Sequence, residues 1–214
     1  MSCNFGSKIK LTIFGQSHSQ AIGCVLDGVP AGIKIDLERI EAFMARRAPG
    51  KNKISTARKE ADKPNIISGI VDGVTCGAPI CAIIENSDTR SGDYDKLRAL
   101  PRPSHSDYAA FMKHNGFNDI RGGGNFSGRM TAPLCFAGAV CIQILESKGI
   151  YIGAHISSIG TVDGTKFDPS FMLELSSFRT RKPVSRFWVV RGLSSLIFLP
   201  ARRMRSLPIS QIFL

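Results

Sequence analysis

The 214-residue sequence contains one tryptophan and lacks several familiar site motifs. It has no CxxC pair, no HExxH, no GxGxxG after a strand and no GxxxxGK[ST], which argues against a zinc site, a dinucleotide fingerprint and a P-loop. Its longest mostly apolar stretch, residues 132–145, is shorter than the ~20 residues that a membrane-spanning helix needs. The mean hydropathy of +0.02 and the 43% apolar content predict a soluble chain with a packed core.

The six cysteines are scattered through the sequence and mostly embedded in apolar runs. This pattern favours reduced, packed thiols over a disulfide framework. The alternating residues 8–14 read as a strand rather than as the apolar core of a signal peptide. Together these features predict a cytoplasmic protein without a bound metal.

Acidic residues are missing from residue 178 onward, where eight of the 28 basic residues lie. We therefore divide the chain into a domain at 1–177 and a basic tail at 178–214. The tail interleaves arginine with apolar runs and resembles neither a solvated arm nor an amphipathic helix, so binding to nucleic acid or a membrane surface is disfavoured. A third interpretation is a poorly ordered, out-of-frame translation.

Strand and helix patterns alternate through the first 177 residues, and no internal repeat is visible. Asp36 is a predicted N-cap of a helix that ends before Pro49. The mixture of elements, with two early strands close enough to pair antiparallel, predicts an α+β layered domain. The predicted strands cover residues 8–15, 23–27, 65–71, 79–84 and 150–156, and the predicted helices follow Asp36 and cover 107–113 and 132–148.

Three loop clusters carry residues suited to chemistry. His18 follows the first strand, and His105 precedes the short helix; histidine is the residue type suited to proton transfer, although each could be merely hydrogen-bonded. Residues 121–131 contain three consecutive glycines before the apolar helix, which suits either an anion cradle or a simple tight turn. Arg46, Arg47 and nearby basic residues form either a phosphate and carboxylate clamp or a solvated helix end.

Taken together, these clusters resemble the chorismate synthase family. The resemblance spans about residues 4–177 and ends at the composition break. It is carried by ordered phrases rather than by one motif: Phe14-Gly-Gln-Ser-His18-Ser, the run 23–32, Arg46-Arg-Ala-Pro-Gly50, the runs 55–62 and 84–91, Arg102-Pro-Ser-His-Ser-Asp107 and Arg121-Gly-Gly-Gly-Asn-Phe-Ser-Gly-Arg129.

The resemblance implies the elimination of phosphate and a ring proton from 5-enolpyruvylshikimate 3-phosphate, which gives chorismate for aromatic amino acid biosynthesis. It implies dependence on reduced FMN, NADPH as a reductant in bifunctional members, a homotetramer, and a layered β-α-β sandwich that is truncated here. By resemblance His18 and His105 are catalytic, with His105 protonating the flavin. Cofactor contacts would come from Asn125, Phe126, Ser127, Arg47 and Lys53, and substrate contacts from Arg46, Arg47 and Arg129.

Some positions depart from the family pattern. Gln16 replaces a glutamate, and Ser19 and Ser104 replace glycines beside the two histidines. If either position has positive φ, serine costs about 1 kcal/mol or more. Because family members are much longer, two alternatives stay open: an inactive fragment that binds anions or oligomerises, and, less favoured, a basic nucleic-acid-binding protein.

Overall fold

The computed structural model describes residues 3–48, 61–87 and 100–152, and the backbone of short strands between 154 and 197. The chain divides into two compact units, residues 1–140 and 141–213. We describe each unit by itself. The first contains the largest sheet, two complete helices and most of the predicted site residues that the structure describes.

The sheet of the first unit has five strands, in the spatial order β1 Asn4–Phe5, β2 Lys10–Gly15, β3 Ala21–Asp27, β7 Ile80–Glu85 and β4 Asn65–Ser68. Every neighbouring pair is antiparallel. Its long central strand β3 is the most buried, with Ile22 and Cys24 fully inaccessible. The predicted antiparallel pairing of the two early strands is confirmed, because Lys10 pairs with Asp27 and Gly15 with Ile22.

The single strand predicted at residues 65–71 is wrong. The run is divided at Gly69 into β4 and β5 Ile70–Val71, and β5 forms a separate hairpin with β6 Val74–Thr75. Gly69 has φ +90°, and a Cβ there would lie 2.5 Å from Ile80 Cα. The backbone therefore bends where only glycine fits against the neighbouring strand.

The first helix, α1 Leu37–Arg47, begins at the predicted cap. Asp36 Oδ1 accepts a hydrogen bond from Arg39 N at 3.0 Å, which satisfies a backbone donor of the first turn. Ile40 and Met44 are each 1% exposed, so the predicted apolar face packs into the core. The second helix, α2 Asp107–Lys113, has the predicted bounds.

The third helix, α3 Thr131–Ser147, follows a 3-10 turn at Gly128–Met130 and ends before Gly149, which has φ +71°. Turn and helix together form a 20-residue run that contains an 18-residue window with a mean hydropathy of 1.4, long and apolar enough to cross a membrane. This run is longer than the stretch measured on the sequence. Phe136 and Val140 are fully buried in the protein, as in a core helix, so length and composition are weak support for a span.

The second unit contains short paired strands. β8 Ile150–Tyr151 pairs in parallel with β12 Arg186–Phe187, β9 Ala154–Ile156 pairs with β14 Ser195–Ile197, β13 Arg191–Gly192 pairs with β14, and β10 Ser158–Ile159 pairs with β11 Val162–Asp163. Three of these strands lie beyond residue 178, so part of the predicted tail has regular backbone structure. The boundary at 177 stays a prediction.

All six cysteines lie within the described residues and are free thiols. Cys24 is buried in β3, and burial raises the pKa of the Cys81, Cys135 and Cys141 thiols. Cys3 and Cys76 are exposed, so the expectation of packed thiols is wrong for these two. Neither lies within a buried strand, which explains the difference.

Candidate functional site

The glycine triplet forms a tight turn at the centre of the site. Gly122, Gly123 and Gly124 have φ values of +59°, +85° and +56°, a region that residues with a side chain rarely adopt. Ser17 N donates a hydrogen bond to Gly124 O at 3.0 Å, which ties the turn to the loop after β2. The sequence therefore has glycine here because the backbone conformation requires it.

The two histidines singled out in the sequence lie against adjacent glycines of this turn. A Cβ on Gly122 would lie 2.5 Å from both Cε1 and Nδ1 of His18. A Cβ on Gly123 would lie 3.0 Å from Cε1 and 3.1 Å from Nε2 of His105. Since consecutive Cα atoms are about 3.8 Å apart, both imidazoles lie beside one short segment of backbone.

His105 belongs to a charged group formed at the start of α2. Its Nδ1 lies 2.6 Å from Asp107 Oδ1. Arg102 binds the same carboxylate through Nε at 2.7 Å, Nη2 at 2.9 Å and its backbone N at 3.0 Å. These hydrogen bonds hold the pKa of Asp107 well below its usual range, so the carboxyl is ionised at neutral pH.

A second arginine–aspartate pair lies near His18. Arg121 Nε and Nη2 donate to the two oxygens of Asp119, each at 2.9 Å. These hydrogen bonds lower the pKa of Asp119, and the charge of His18 acts in the same direction. Each histidine of the site therefore has an arginine-bound carboxylate as an electrostatic neighbour.

Asn86 fixes the turn that carries His18. Its Nδ2 donates to Gln16 O at 3.1 Å and to Ser19 O at 2.8 Å, one on each side of the histidine. Its Oδ1 accepts from Arg129 Nε at 2.9 Å. One side chain at the end of β7 thus links the His18 turn to the base of α3.

Arg129 and Arg47, both predicted to bind substrate, share the carboxylate of Asp62. Arg129 Nη1 binds one Asp62 oxygen and Arg47 Nη1 binds the other. The side chains of Asp62 and Arg129 are 0% and 4% exposed, and that of Arg47 is 21% exposed. Two guanidinium groups and one carboxylate leave a net positive charge, but Arg129 is committed to internal partners. The substrate and cofactor roles of these two arginines stay predictions.

The remaining predicted residues lie at several places. Arg46 is exposed, with its guanidinium carbon 5.7 Å from the centre of the Phe43 ring. Ser127 Oγ accepts from Arg129 N at 3.3 Å and caps the turn before α3. Lys53 lies outside the described residues.

Asn125 and Phe126 line an apolar pocket of about 680 Å³. The pocket adjoins the histidine cluster through Gln16 and Asp119, although neither His18 nor His105 lines it. Its lining combines aromatic rings with a few polar groups: Cys3, Phe5, Ile13, Phe14, Gly15, Gln16, His114, Phe117, Asn118, Asp119, Asn125, Phe126, Met130, Thr131 and Leu134. Such a size and lining suit a planar organic ligand.

The two serines that replace family glycines behave differently. Ser104 has φ +58°, so the condition for backbone strain beside His105 is met at this position. Ser19 is not among the described residues with positive φ. Its Oγ accepts from Gln16 N at 2.9 Å and lies 2.7 Å from Ala21 O, so the hydroxyl stabilises the turn.

Among the described residues there is no group of three or more histidine, cysteine, aspartate or glutamate side chains that could hold a metal ion. The site consists instead of imidazole, carboxylate and guanidinium groups beside an aromatic pocket. Imidazole groups can transfer protons, and guanidinium groups can bind anions.

Comparison with known proteins identifies the family. Residues 9–189 match the chorismate synthase family, beyond the composition break at 178. Chorismate synthase of Korarchaeum cryptofilum is 39% identical over 180 residues, covering 84% of this chain and 49% of that protein; that of Helicobacter hepaticus is 43% identical over 170 residues, covering 79% and 47%. The chain belongs to the chorismate synthase family.

A solved structure supports the same assignment of the fold. A crystal structure of chorismate synthase superposes with a TM-score of 0.53 at 26% identity, covering 74% of this chain and 40% of that one. The predicted α+β fold of chorismate synthase type is confirmed. The chain spans about half the length of the curated relatives it matches.

Sequence reasoning missed three residues of the site. Asp62 and Asn86 make contacts that depend on long-range folding, such as the 67-residue separation between Asp62 and Arg129. Asp119 binds Arg121, only two residues away, but it belongs to none of the motifs singled out in the sequence. Asp62 and Asn86 fall in two of the phrases that carry the resemblance. These phrases place Asp62 and Asn86 in the order found in the family, but they do not indicate which residues the two side chains contact.

Proposed function

We propose that this chain takes part in the chorismate synthase reaction, in which 5-enolpyruvylshikimate 3-phosphate loses phosphate and a ring proton to give chorismate. The observation that carries the proposal is the contact of His18 and His105 with adjacent glycines of one turn. Two imidazoles at one loop supply two groups that can act as general acid or general base, as an elimination with proton transfer requires.

The charges around the turn suit an anionic substrate. Arg102 and Arg121 each bind one carboxylate, whereas the pair Arg47 and Arg129 shares a single one and retains positive charge. Arg46 is exposed and has no carboxylate partner among the described residues. A substrate with one phosphate and two carboxylates needs such guanidinium groups.

The aromatic pocket supports the proposal that the chain binds a flavin. Its volume of about 680 Å³ and its lining by Phe126 and Asn125 suit a planar ring system that needs both stacking and hydrogen bonds. Reduced FMN, when bound, would lend electron density to the substrate and take it back, so that no net oxidation results. His114, whose ring centre lies 6.2 Å from that of Phe126, supports the wall of this pocket.

The same proposal implies NADPH as a reductant near Arg47 and Lys53, a cytoplasmic location without membrane contact, and assembly into a homotetramer. These are properties of the whole family protein. We further propose that residues 178–214 are read out of frame, which would explain the composition break; the family match, which continues to residue 189, is the observation against it.

An anaerobic assay of phosphate release from 5-enolpyruvylshikimate 3-phosphate with reduced FMN tests the proposal. The wild-type chain should release phosphate, and His18→Ala and His105→Ala should each lower kcat by about 10²–10⁴-fold, the usual contribution of a general acid or base. His155→Ala, at a histidine outside the loop clusters of the site, is the matched control and should leave the rate unchanged.

No phosphate release by the wild-type chain would overturn the catalytic proposal. The fragment alternative would then account for the chain, and binding of reduced FMN or of the substrate would measure what it retains. Equal rates for the wild type and both histidine variants would instead contradict the assignment of the two imidazoles.

A further inference from the structure

We propose that Asp107 is a positioning residue that keeps the proton of neutral His105 on Nδ1 and leaves Nε2 to exchange protons with bound ligands. The part concerning Nε2 rests on the proposed function. The part concerning the tautomer does not, because it is a property of the chain without ligand.

The carboxylate of Asp107 has a fixed orientation. Its side chain is 6% exposed, and Arg102 binds Oδ2 through Nε and the backbone N, and Oδ1 through Nη2. A two-pronged contact of this kind restrains both oxygens in one plane. Because Asp107 is also the first residue of α2, its backbone is fixed by the helix.

Two groups compete for His105 Nδ1. Asp107 Oδ1, an acceptor, lies at 2.6 Å, and Arg102 Nη2, a donor, lies at 3.3 Å. Nη2 carries two hydrogens, and one of them donates to Oδ1 at 2.9 Å, so the two contacts to Nδ1 are compared by their lengths. The shorter contact to an ionised acceptor is the stronger one, and it requires that Nδ1 carries a hydrogen.

The opposite ring nitrogen faces the glycine turn. A Cβ on Gly123 would lie 3.1 Å from Nε2, so the absence of a side chain makes room for this edge of the ring. Gly122 beside it accommodates His18 in the same way. With Nδ1 committed to Asp107, Nε2 is the nitrogen available for proton exchange on the side of the second imidazole.

Nitrogen-15 NMR of the histidine side chains in the ligand-free chain tests the tautomer. When the ring of His105 is neutral, Nδ1 should show the nitrogen-15 chemical shift of a protonated nitrogen, and Nε2 should show that of an unprotonated nitrogen. With four histidines in the sequence, the signals can be assigned by replacing His105 with glutamine. A wild-type ring protonated on Nε2 would overturn the proposal without any variant.

Asp107→Asn removes the charge at nearly constant volume. Its amide can donate to Nδ1, so the Nδ1–H preference should be lost, whereas the same change in Asp119→Asn should leave the His105 tautomer unaltered. An Nδ1–H tautomer that persists in Asp107→Asn would show that the carboxylate does not set it.

The activity assay separates this proposal from the proposed function. Asp107→Asn should lower kcat by about 10²-fold or more with KM nearly unchanged, because substrate-binding groups are retained. A wild-type chain without activity would contradict the proposed function and leave the tautomer result standing. An active Asp107→Asn variant with wild-type kcat would overturn the role assigned to Asp107.

Discussion

Replacing Gly122 by alanine is the most informative perturbation of the glycine turn. The new Cβ would lie 2.5 Å from two atoms of the His18 ring and 2.5 Å from Ser17 Oγ, closer than real Cβ contacts. The ring or the turn must therefore move. Overpacking of this kind costs about 1–3 kcal/mol, and the φ of +59° adds roughly 1–2 kcal/mol for a residue with a side chain.

The expected loss is about 2–5 kcal/mol, a large part of the ~5–15 kcal/mol that stabilises a typical domain. Urea denaturation followed by circular dichroism measures it. Gly32→Ala is the matched control, because Gly32 has φ +83° and nothing lies within 4 Å of its Cβ position. That variant carries the backbone strain without the collision.

Comparison of three glycine variants would show whether the collision with the histidine ring causes the loss of stability. Gly123→Ala should fall between the other two variants, since its Cβ would lie 3.0 Å from His105 Cε1. The difference between Gly122→Ala and Gly32→Ala isolates the collision with His18 and should be about 1–3 kcal/mol. Equal losses at the two positions would refute the packing of His18 against the turn.

Three further changes test the network around the turn. Asn86→Ala removes two donors and one acceptor and should lower the free energy of unfolding by about 2 kcal/mol in urea; no change would mean that the His18 turn holds without it. Asp62→Asn leaves Arg129, 4% exposed, beside an uncharged partner and should cost about 3 kcal/mol or more; a cost below 1 kcal/mol would contradict the buried ion pair. The pKa of Asp107 is lowered by folding, so its stabilisation is complete above about pH 3.9 and is lost as the pH falls below it. Acid titration of stability should therefore be shallower for Asp107→Asn than for the wild type, and identical slopes would count against the Arg102 contact.

Local features of the fold were predictable from the sequence. The Asp36 cap, the bounds of α2 and the end of α3 before Gly149 each depend on residues within one or two helical turns. The break at Gly69 was not predictable, because it depends on close approach of Ile80, a residue on another strand. Apart from the pairing of β2 with β3, the order of strands in the sheet was equally unpredictable from local patterns.

In the candidate site, too, local features were predictable from the sequence and long-range contacts were not. His18, His105 and the glycine turn were found because each lies in a loop with unusual composition next to a regular element. The ion pairs of Asp62 and the amide contacts of Asn86 were not found, because residues far apart in sequence meet only in the fold. Arg129 is an example. Its residue type suggested that it contacts a ligand, but in the structure its side chain is buried and paired with Asp62.

The composition break leads to a prediction about the gene. If residues 178–214 are read out of frame, another reading frame of the DNA after codon 177 should continue the family sequence. A DNA sequence with no such continuation in either of the other frames would refute the frameshift proposal. The basic tail would then need a function of its own.

The convergence of the two imidazoles at one turn is the claim on which the site depends. Nuclear Overhauser contacts in the isotope-labelled chain measure it directly. We predict contacts from the His18 ring protons to the α protons of Gly122, and from the His105 ring protons to those of Gly123. Absence of either contact in the folded chain would contradict the account.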